Sequence, residues 1–211
     1  MSDLYPVFLK LKLQKCLVVG GGEVAARKVQ SLLACQADVY VISPKLHPQL
    51  SELAAAGKIR AYRRPYQKED LAGAKLVIVA TEQKEVNQQV ASHCAKKGIL
   101  CNVVDEPELC DFFVPAVVKQ GPLKIAISTS GMAPVFAKQI RQVLAAHFDE
   151  AYKIVLEAVG QARRRLLETN ADPRERRELI LSLQLEELVQ FYRTEGKEAL
   201  EQKLNKLFAL K

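Results

Sequence analysis

Through residue 104 the chain alternates apolar runs of strand length with segments of helical period. The runs predict strands at Lys15–Val19, Val39–Ile42, Ile59–Tyr62, Leu76–Ala80 and Ile99–Val104. Between them the spacing predicts helices over Glu23–Ala34, Pro48–Ala56 and Glu85–Lys97. This order predicts an α/β fold, an open Rossmann-type parallel sheet covered by helices on both faces.

After Pro107 the pattern changes. The stretch FFVPAVVKQGPLKIAIST reads as two β-runs around a Gly121-Pro122 turn, and Ala133–Phe148 as an amphipathic helix with Val135, Ile140, Val143 and Leu144 on one side. A two-stranded sheet with one helix is too small to be stable alone, so it is expected to pair, most simply with its copy in a second chain. From Ala151 the chain reads as charged helices: EAYKIVLEAVGQARRRLLET, then DPRERRELILSLQLEELVQFYR with Asp172 as N-cap and Pro173 at the first helical position, then EGKEALEQKLNKLF. The expected organisation is a Rossmann domain over residues 1–112, a dimerisation region over 113–148 and a small helical domain over 149–211.

The first strand runs directly into glycines in LVVGGGEVAARK, where Gly20, Gly22 and Ala25 occupy G-x-G-x-x-A. The first glycine permits a tight turn, the second lets a pyrophosphate approach the backbone, and Ala25 lets helix and strand pack closely. The N–H groups opening the helix then face the anion. A dinucleotide turn of this kind normally has an acid at the end of the second strand to hold the adenosine ribose. Here VYVISPK puts Ser43 there, with Lys45 nearby. Ser43 retains a hydroxyl for a ribose, while Lys45 tolerates a 2′-phosphate, so this position alone does not choose between NAD and NADP.

Composition narrows the classes. With 211 residues and 49% hydrophobic content the chain can bury a substantial core. No apolar run reaches the ~18–20 residues of a membrane helix, and MSDLYPVFLKLK lacks the order of a signal peptide, so no membrane partner and a cytoplasmic location are expected. Cys16, Cys35, Cys94, Cys101 and Cys110 form no CxxC pair; they read as reduced thiols, with no metal site expected. Of the net charge of +7, residues 1–150 carry +5, from 19 Lys+Arg against 14 Asp+Glu. Such an excess suits a polyanionic small molecule as well as nucleic acid. Only AYRRPYQK at 61–68 interleaves aromatics with bases, and it reads as a strand end and turn, so no nucleic acid is expected. Arg163, Arg164 and Arg165 read in the same way as a solvated helix face.

Motifs remove further classes. No tyrosine has a lysine four residues on, no G-x-S-x-G or H-E-x-x-H occurs, and His47, His93 and His147 are scattered. What remains is NVVDEPELCDFFVPA. Its Asp105 lies just past the fifth strand's carboxyl end, where open α/β sheets hold ligands, and a carboxylate there can serve as a general base. Asp111 is a second candidate.

Together, YPVFLKLK, LVVGGGEVAARK, LVIVATEQKEVNQQV, CNVVDEPELCDFFVPA and IAISTSGMAPVFAKQIR resemble the siroheme synthase N-terminal family, collinearly over roughly residues 4–150. The resemblance implies an NAD-dependent dehydrogenase that converts precorrin-2, a polyanionic tetrapyrrole, to sirohydrochlorin. In some members it also implies insertion of Fe(II), a substrate, to give siroheme, which is left open here. It implies a homodimer intertwined through about Phe113–Phe148. It places cofactor contacts at Gly20, Gly21, Gly22, Glu23, Val24, Ser43, Pro44, Thr81 and Asn102, and the catalytic aspartate at Asp105. The chain departs from the family where Ser130 replaces a common glycine and Ala133 a polar residue. The alternative from another class is a non-catalytic NAD-sensing regulatory module.

Overall fold

The computed structural model describes residues 4–169 and 172–208, which divide into two compact units, one over Tyr5–Val114 and one that takes in Pro115–Lys211. In the first, five parallel strands run β1 (Lys15–Val19), β2 (Asp38–Ile42), β3 (Arg60–Tyr62), β4 (Leu76–Val79) and β5 (Leu100–Val103), in the spatial order β3-β2-β1-β4-β5. Helices α1 (Glu23–Ala34), α2 (Pro48–Ala55) and α3 (Lys84–Lys97) connect them.

The unbroken apolar runs follow from burial on both faces. In β1, Cys16 and Val18 face one core with Val39, Val41, Leu76 and Ile78 beneath Ala25, Ala26 and Val29 of α1. The alternate residues Leu17 and Val19 face the other core with Val77, Val79 and Cys101, beneath Val90, Ala91 and Cys94 of α3. Burial pushes the Cys16 thiol up to about 11, which leaves it an unreactive core side chain.

Two short 3-10 turns, at Lys68–Leu71 and Pro107–Leu109, were not legible as elements. The first is fixed by polar contacts. Asp70 accepts from the Gln67 N–H at 2.8 Å and from both terminal nitrogens of Arg64 at 2.9 and 2.5 Å. Burial alone raises the Asp70 carboxyl, but Arg64 and the Gln67 N–H outweigh it and hold the group below the usual carboxylate range. A depressed folded value contributes stability that is present above the unfolded value of about 3.9 and is lost as pH falls through the folded one. Asp70→Asn is therefore expected to cost on the order of 1 kcal/mol at neutral pH. The variant and wild-type unfolding curves should converge in acid, and chemical denaturation across pH checks this. The two arginines of residues 61–68 are also tied down: Arg63 donates to Ser51 Oγ and Arg64 pairs with Asp70.

In the second unit, β6 (Ala116–Gln120) and β7 (Leu123–Ile127) form an antiparallel pair beside α4 (Pro134–His147). Helices α5 (Glu150–Leu167), α6 (Pro173–Leu181) and α7 (Leu185–Leu207) enclose a separate core around Val155, Ala162, Leu166, Val189, Leu200 and Leu204. Asp172 caps α6 through the Arg174 N–H at 2.7 Å, as its position suggested. The long helix expected after it instead breaks at residues 182–184, where Ser182 Oγ donates to the Leu179 carbonyl. The next break falls inside α7, at Gly196 with φ 82°.

Candidate active site

The glycine turn lies at the point where the sheet's winding reverses, between β1 and its neighbour β4. Gly20 has φ 126°, and a Cβ there would sit 2.1 Å from the Ala80 carbonyl oxygen at the end of β4. A Cβ on Gly21 would sit 1.9 Å from the Lys45 carbonyl oxygen and 2.6 Å from Ser43 Oγ, in the turn after β2. Gly22 is different: a Cβ there would meet nothing within 4 Å. The first two glycines allow backbone to pack on backbone, and the third leaves open space in front of α1.

No side chain caps the start of α1, whose N-cap is Gly22. The first N–H groups of a helix have no partner within it, so those that follow Gly22, including Glu23 and Val24, face the open space with the positive end of the helix dipole. A pyrophosphate fits that cradle. The exposed Glu23 carboxylate repels an anion, so what this residue offers is its N–H.

The structure gives Ser43 a definite local duty. Its side chain is buried, and Oγ donates to the Lys45 carbonyl at 2.7 Å while the Ser43 N–H pairs with Tyr62. The hydroxyl hydrogen is thus engaged, and the oxygen remains an acceptor only. Pro44 is exposed beside it. His47 serves the same turn: its N–H donates to Gly21 O at 2.7 Å, and its Nδ1 accepts from Gln49 N–H at the start of α2.

Two turns leave the carboxyl ends of β4 and β5. In the first, Thr81 Oγ1 donates to Asn87 Oδ1 at 2.7 Å and accepts from the Gln83 N–H. In the second, Asp105 is exposed and holds φ 62°, a left-handed conformation that costs an L-residue roughly 1–2 kcal/mol. The turn is held by neighbours. The Glu106 N–H bonds Val103 O, the Cys110 thiol lies within hydrogen-bond distance of Val103 and Glu106 backbone groups, and Asn87 Nδ2 donates to Glu106 Oε1 at 2.7 Å. Asn102 is buried, and its amide donates to Phe112 O at 2.9 Å, which ties β5 to the returning chain.

Asp111, the second acidic candidate, has an evident structural role: Oδ2 accepts from the Cys101 N–H, and its own N–H donates to Cys101 O. Three participants escaped the sequence reading. Asn87 and Glu106 are recognisable only through contacts across the fold, although the acid adjoining Asp105 was a signal. Lys28 on α1 is the third. Burial pushes its ammonium group down, and Arg27 pushes further, whereas the Asp105 charge pulls it up. Among the described residues, no group of three or more His, Cys, Asp or Glu side chains could hold a metal ion, and no helix is long and apolar enough to cross a membrane.

In the 128–134 loop, Ser130 has φ 52° and Gly131 φ 80°, so the residue that replaces the common glycine still takes glycine's conformation. Thr129 Oγ1 accepts from the Ala133 N–H, which gives the start of α4 a hydroxyl partner that Ala133 cannot supply.

Comparison with known proteins agrees with this geometry. A family described as putative NAD(P)-binding matches residues 7–116, and one described as sirohaem biosynthesis protein central matches residues 120–147. The siroheme synthase of Methylobacillus flagellatus is 47% identical over 139 residues, which are 66% of this chain and 30% of that protein. That of Methylococcus capsulatus is 39% identical over 175 residues, 83% of this chain and 37% of that protein. The chain thus spans about a third of the length of these curated relatives. A solved structure titled SirC, precorrin-2 dehydrogenase, superposes with a TM-score of 0.79 at 29% identity, covering 96% of this chain and 100% of that one. With a putative NAD(P)-binding domain over more than half its length and the sirohaem central region following in order, the chain belongs to the siroheme synthase N-terminal family.

Proposed function

We propose that this chain is an NAD-dependent precorrin-2 dehydrogenase that forms sirohydrochlorin in siroheme biosynthesis. The observation that carries the reading is the convergence, at one edge of one sheet, of an open glycine cradle and an exposed aspartate held at φ 62°. The near full-length likeness to a precorrin-2 dehydrogenase supports it.

Bound NAD supplies a hydride acceptor at the nicotinamide C4. The chain's residues do the rest. Gly22 keeps the space before α1 clear, and the N–H groups of Gly22, Glu23 and Val24 hold the pyrophosphate. Gly20 and Gly21 let the turn close on Ala80 and Lys45. Ser43 and Pro44 would hold the adenosine ribose, the Ser43 oxygen being free to accept from a ribose hydroxyl, and Thr81 and Asn102 would hold the nicotinamide end. Asp105 accepts the proton that leaves as the substrate gives up its hydride, so precorrin-2 and NAD⁺ become sirohydrochlorin, NADH and H⁺. The basic balance of residues 1–150 attracts the polyanionic substrate. No observation favours the NAD-sensing reading. Anaerobic incubation with precorrin-2 and NAD⁺, followed spectroscopically, tests the reaction, and Fe(II) added to its product tests metal insertion separately. We place the reaction in the cytoplasm, where NAD is available and thiols stay reduced.

The assembly we propose is a homodimer through β6, β7 and α4. In the single chain, Val135 and Val143 of α4 are 67% and 69% exposed, with Phe136, Ile140 and Val117 also uncovered. So the apolar side expected from periodicity points largely away from its own strands, and an uncovered patch of this kind suits a partner. Light scattering should give twice the chain mass for wild type and shift towards the chain mass for Val135→Glu/Val143→Glu.

A further inference from the structure

Asn87 lies in the first turns of α3 and is 3% exposed, yet it is polar. Every hydrogen of its amide is engaged. Nδ2 donates to the Thr81 carbonyl at 3.2 Å and to Glu106 Oε1 at 2.7 Å, and Oδ1 accepts from Thr81 Oγ1 at 2.7 Å. These bonds do not cap α3, whose N-cap Gln83 makes no side-chain cap bond; they tie the helix to the Thr81 turn before it. The bond to Glu106 reaches a different turn, the one after β5, at the residue adjoining Asp105. It is charge-assisted and part-buried, with its donor on the buried Asn87 and its acceptor on the half-buried Glu106.

We propose that Asn87 is a positioning residue that braces the Thr81 turn to Glu106, so that filling the cofactor turn fixes the geometry of Asp105. The proposal rests on the dehydrogenase reading and adds a coupling between its two halves. A left-handed residue persists only where its surroundings over-determine it. Before Asp105, the Cys110 thiol contacts the Val103 backbone; after it, Glu106 is held by the same thiol and by Asn87. When NAD orders Thr81, Asn87 cannot shift without breaking three bonds, and Glu106 is held with it. Glu106 acts here as an acceptor, so Gln in its place keeps the brace and Leu removes it.

The test compares wild type, Glu106→Gln, Glu106→Leu and Asn87→Leu by hydrogen–deuterium exchange with and without NAD⁺, together with kcat and KM for precorrin-2 oxidation. In wild type and Glu106→Gln, NAD⁺ should slow exchange in both 80–84 and 103–110. In the two Leu variants it should protect 80–84 alone. There kcat should fall by roughly ten- to a hundredfold while the KM for NAD⁺ changes only a few-fold. Glu106→Gln should keep most of the turnover. Glu106 is only half-buried, so its variants carry the test even if Asn87→Leu folds poorly. Protection of 103–110 by NAD⁺ in Glu106→Leu would overturn the brace, as would wild-type kcat in that variant or a Glu106→Gln as impaired as Glu106→Leu. A wild-type protein on which NAD⁺ has no effect would instead remove the cofactor reading beneath it.

Discussion

Asp105→Asn is expected to bind NAD⁺ as wild type does and to oxidise precorrin-2 some 10²–10⁴-fold more slowly, the usual contribution of a positioned general base. The amide is close in shape to the carboxylate and should tolerate the same left-handed backbone, since Asn enters that region more readily than most residues. The exposed position leaves few contacts to lose, so folding should be little changed. The loss should appear in kcat, with the KM for NAD⁺ unmoved, because the cradle at Gly20–Gly22 lies on a different turn. Calorimetric NAD⁺ titration beside steady-state kinetics separates the two. Full turnover in this variant would remove Asp105 from the chemistry.

Gly20→Ala and Gly22→Ala should fail for different reasons. At Gly20 the new methyl would lie 2.1 Å from the Ala80 carbonyl on a backbone with φ 126°. Strain of at least about 3 kcal/mol is expected, which lowers Tm by roughly 10 °C in a chain of this size. Cofactor binding should be lost with it, because β1 and β4 part at the point where the sheet holds its ligand. At Gly22 the backbone has φ −82° and the methyl enters open space. Tm should therefore stay near wild type while NAD⁺ affinity drops, because the methyl occupies the room the pyrophosphate needs. Thermal unfolding with and without NAD⁺ reads both effects. Equal Tm losses in the two variants would contradict the separate roles assigned here.

Much of the sheet was legible because its strands are buried on both sides. A run such as CLVV has no polar residue to blur it, and β1 and α1 appear with the bounds the pattern predicts. Ends were less sharp: β4 stops at Val79 and β5 at Val103, each one residue early, where the chain turns into the site. In the helical region, side-chain bonds at Ser182 and the backbone of Gly196 decide where helices break, and periodicity does not encode either. For α4 the sequence shows an apolar side but not what covers it, since Val135 and Val143 have no cover in their own chain.

The features of the candidate site that are local were legible: three glycines between a strand and a helix mark the turn, and the acid after β5 marks the exposed carboxylate proposed above as the base. The contacts that join them are not local. Asn87 and Glu106 stand 19 residues apart, and Ser43 gives its hydroxyl hydrogen to the Lys45 carbonyl, which leaves only its oxygen for a ribose. A hydrogen bond between polar side chains leaves no periodic trace, so such braces emerge only from coordinates.

In the proposed reaction the glycine cradle and Asp105 act as two halves of one oxidising site. The most direct measurement is an anaerobic, single-cuvette reaction of the purified protein with precorrin-2 and NAD⁺, with NADH and sirohydrochlorin followed together. Both products should appear at the same rate and in equal amounts. Unchanged precorrin-2 with no NADH, in a protein that demonstrably binds NAD⁺, would contradict the proposed reaction.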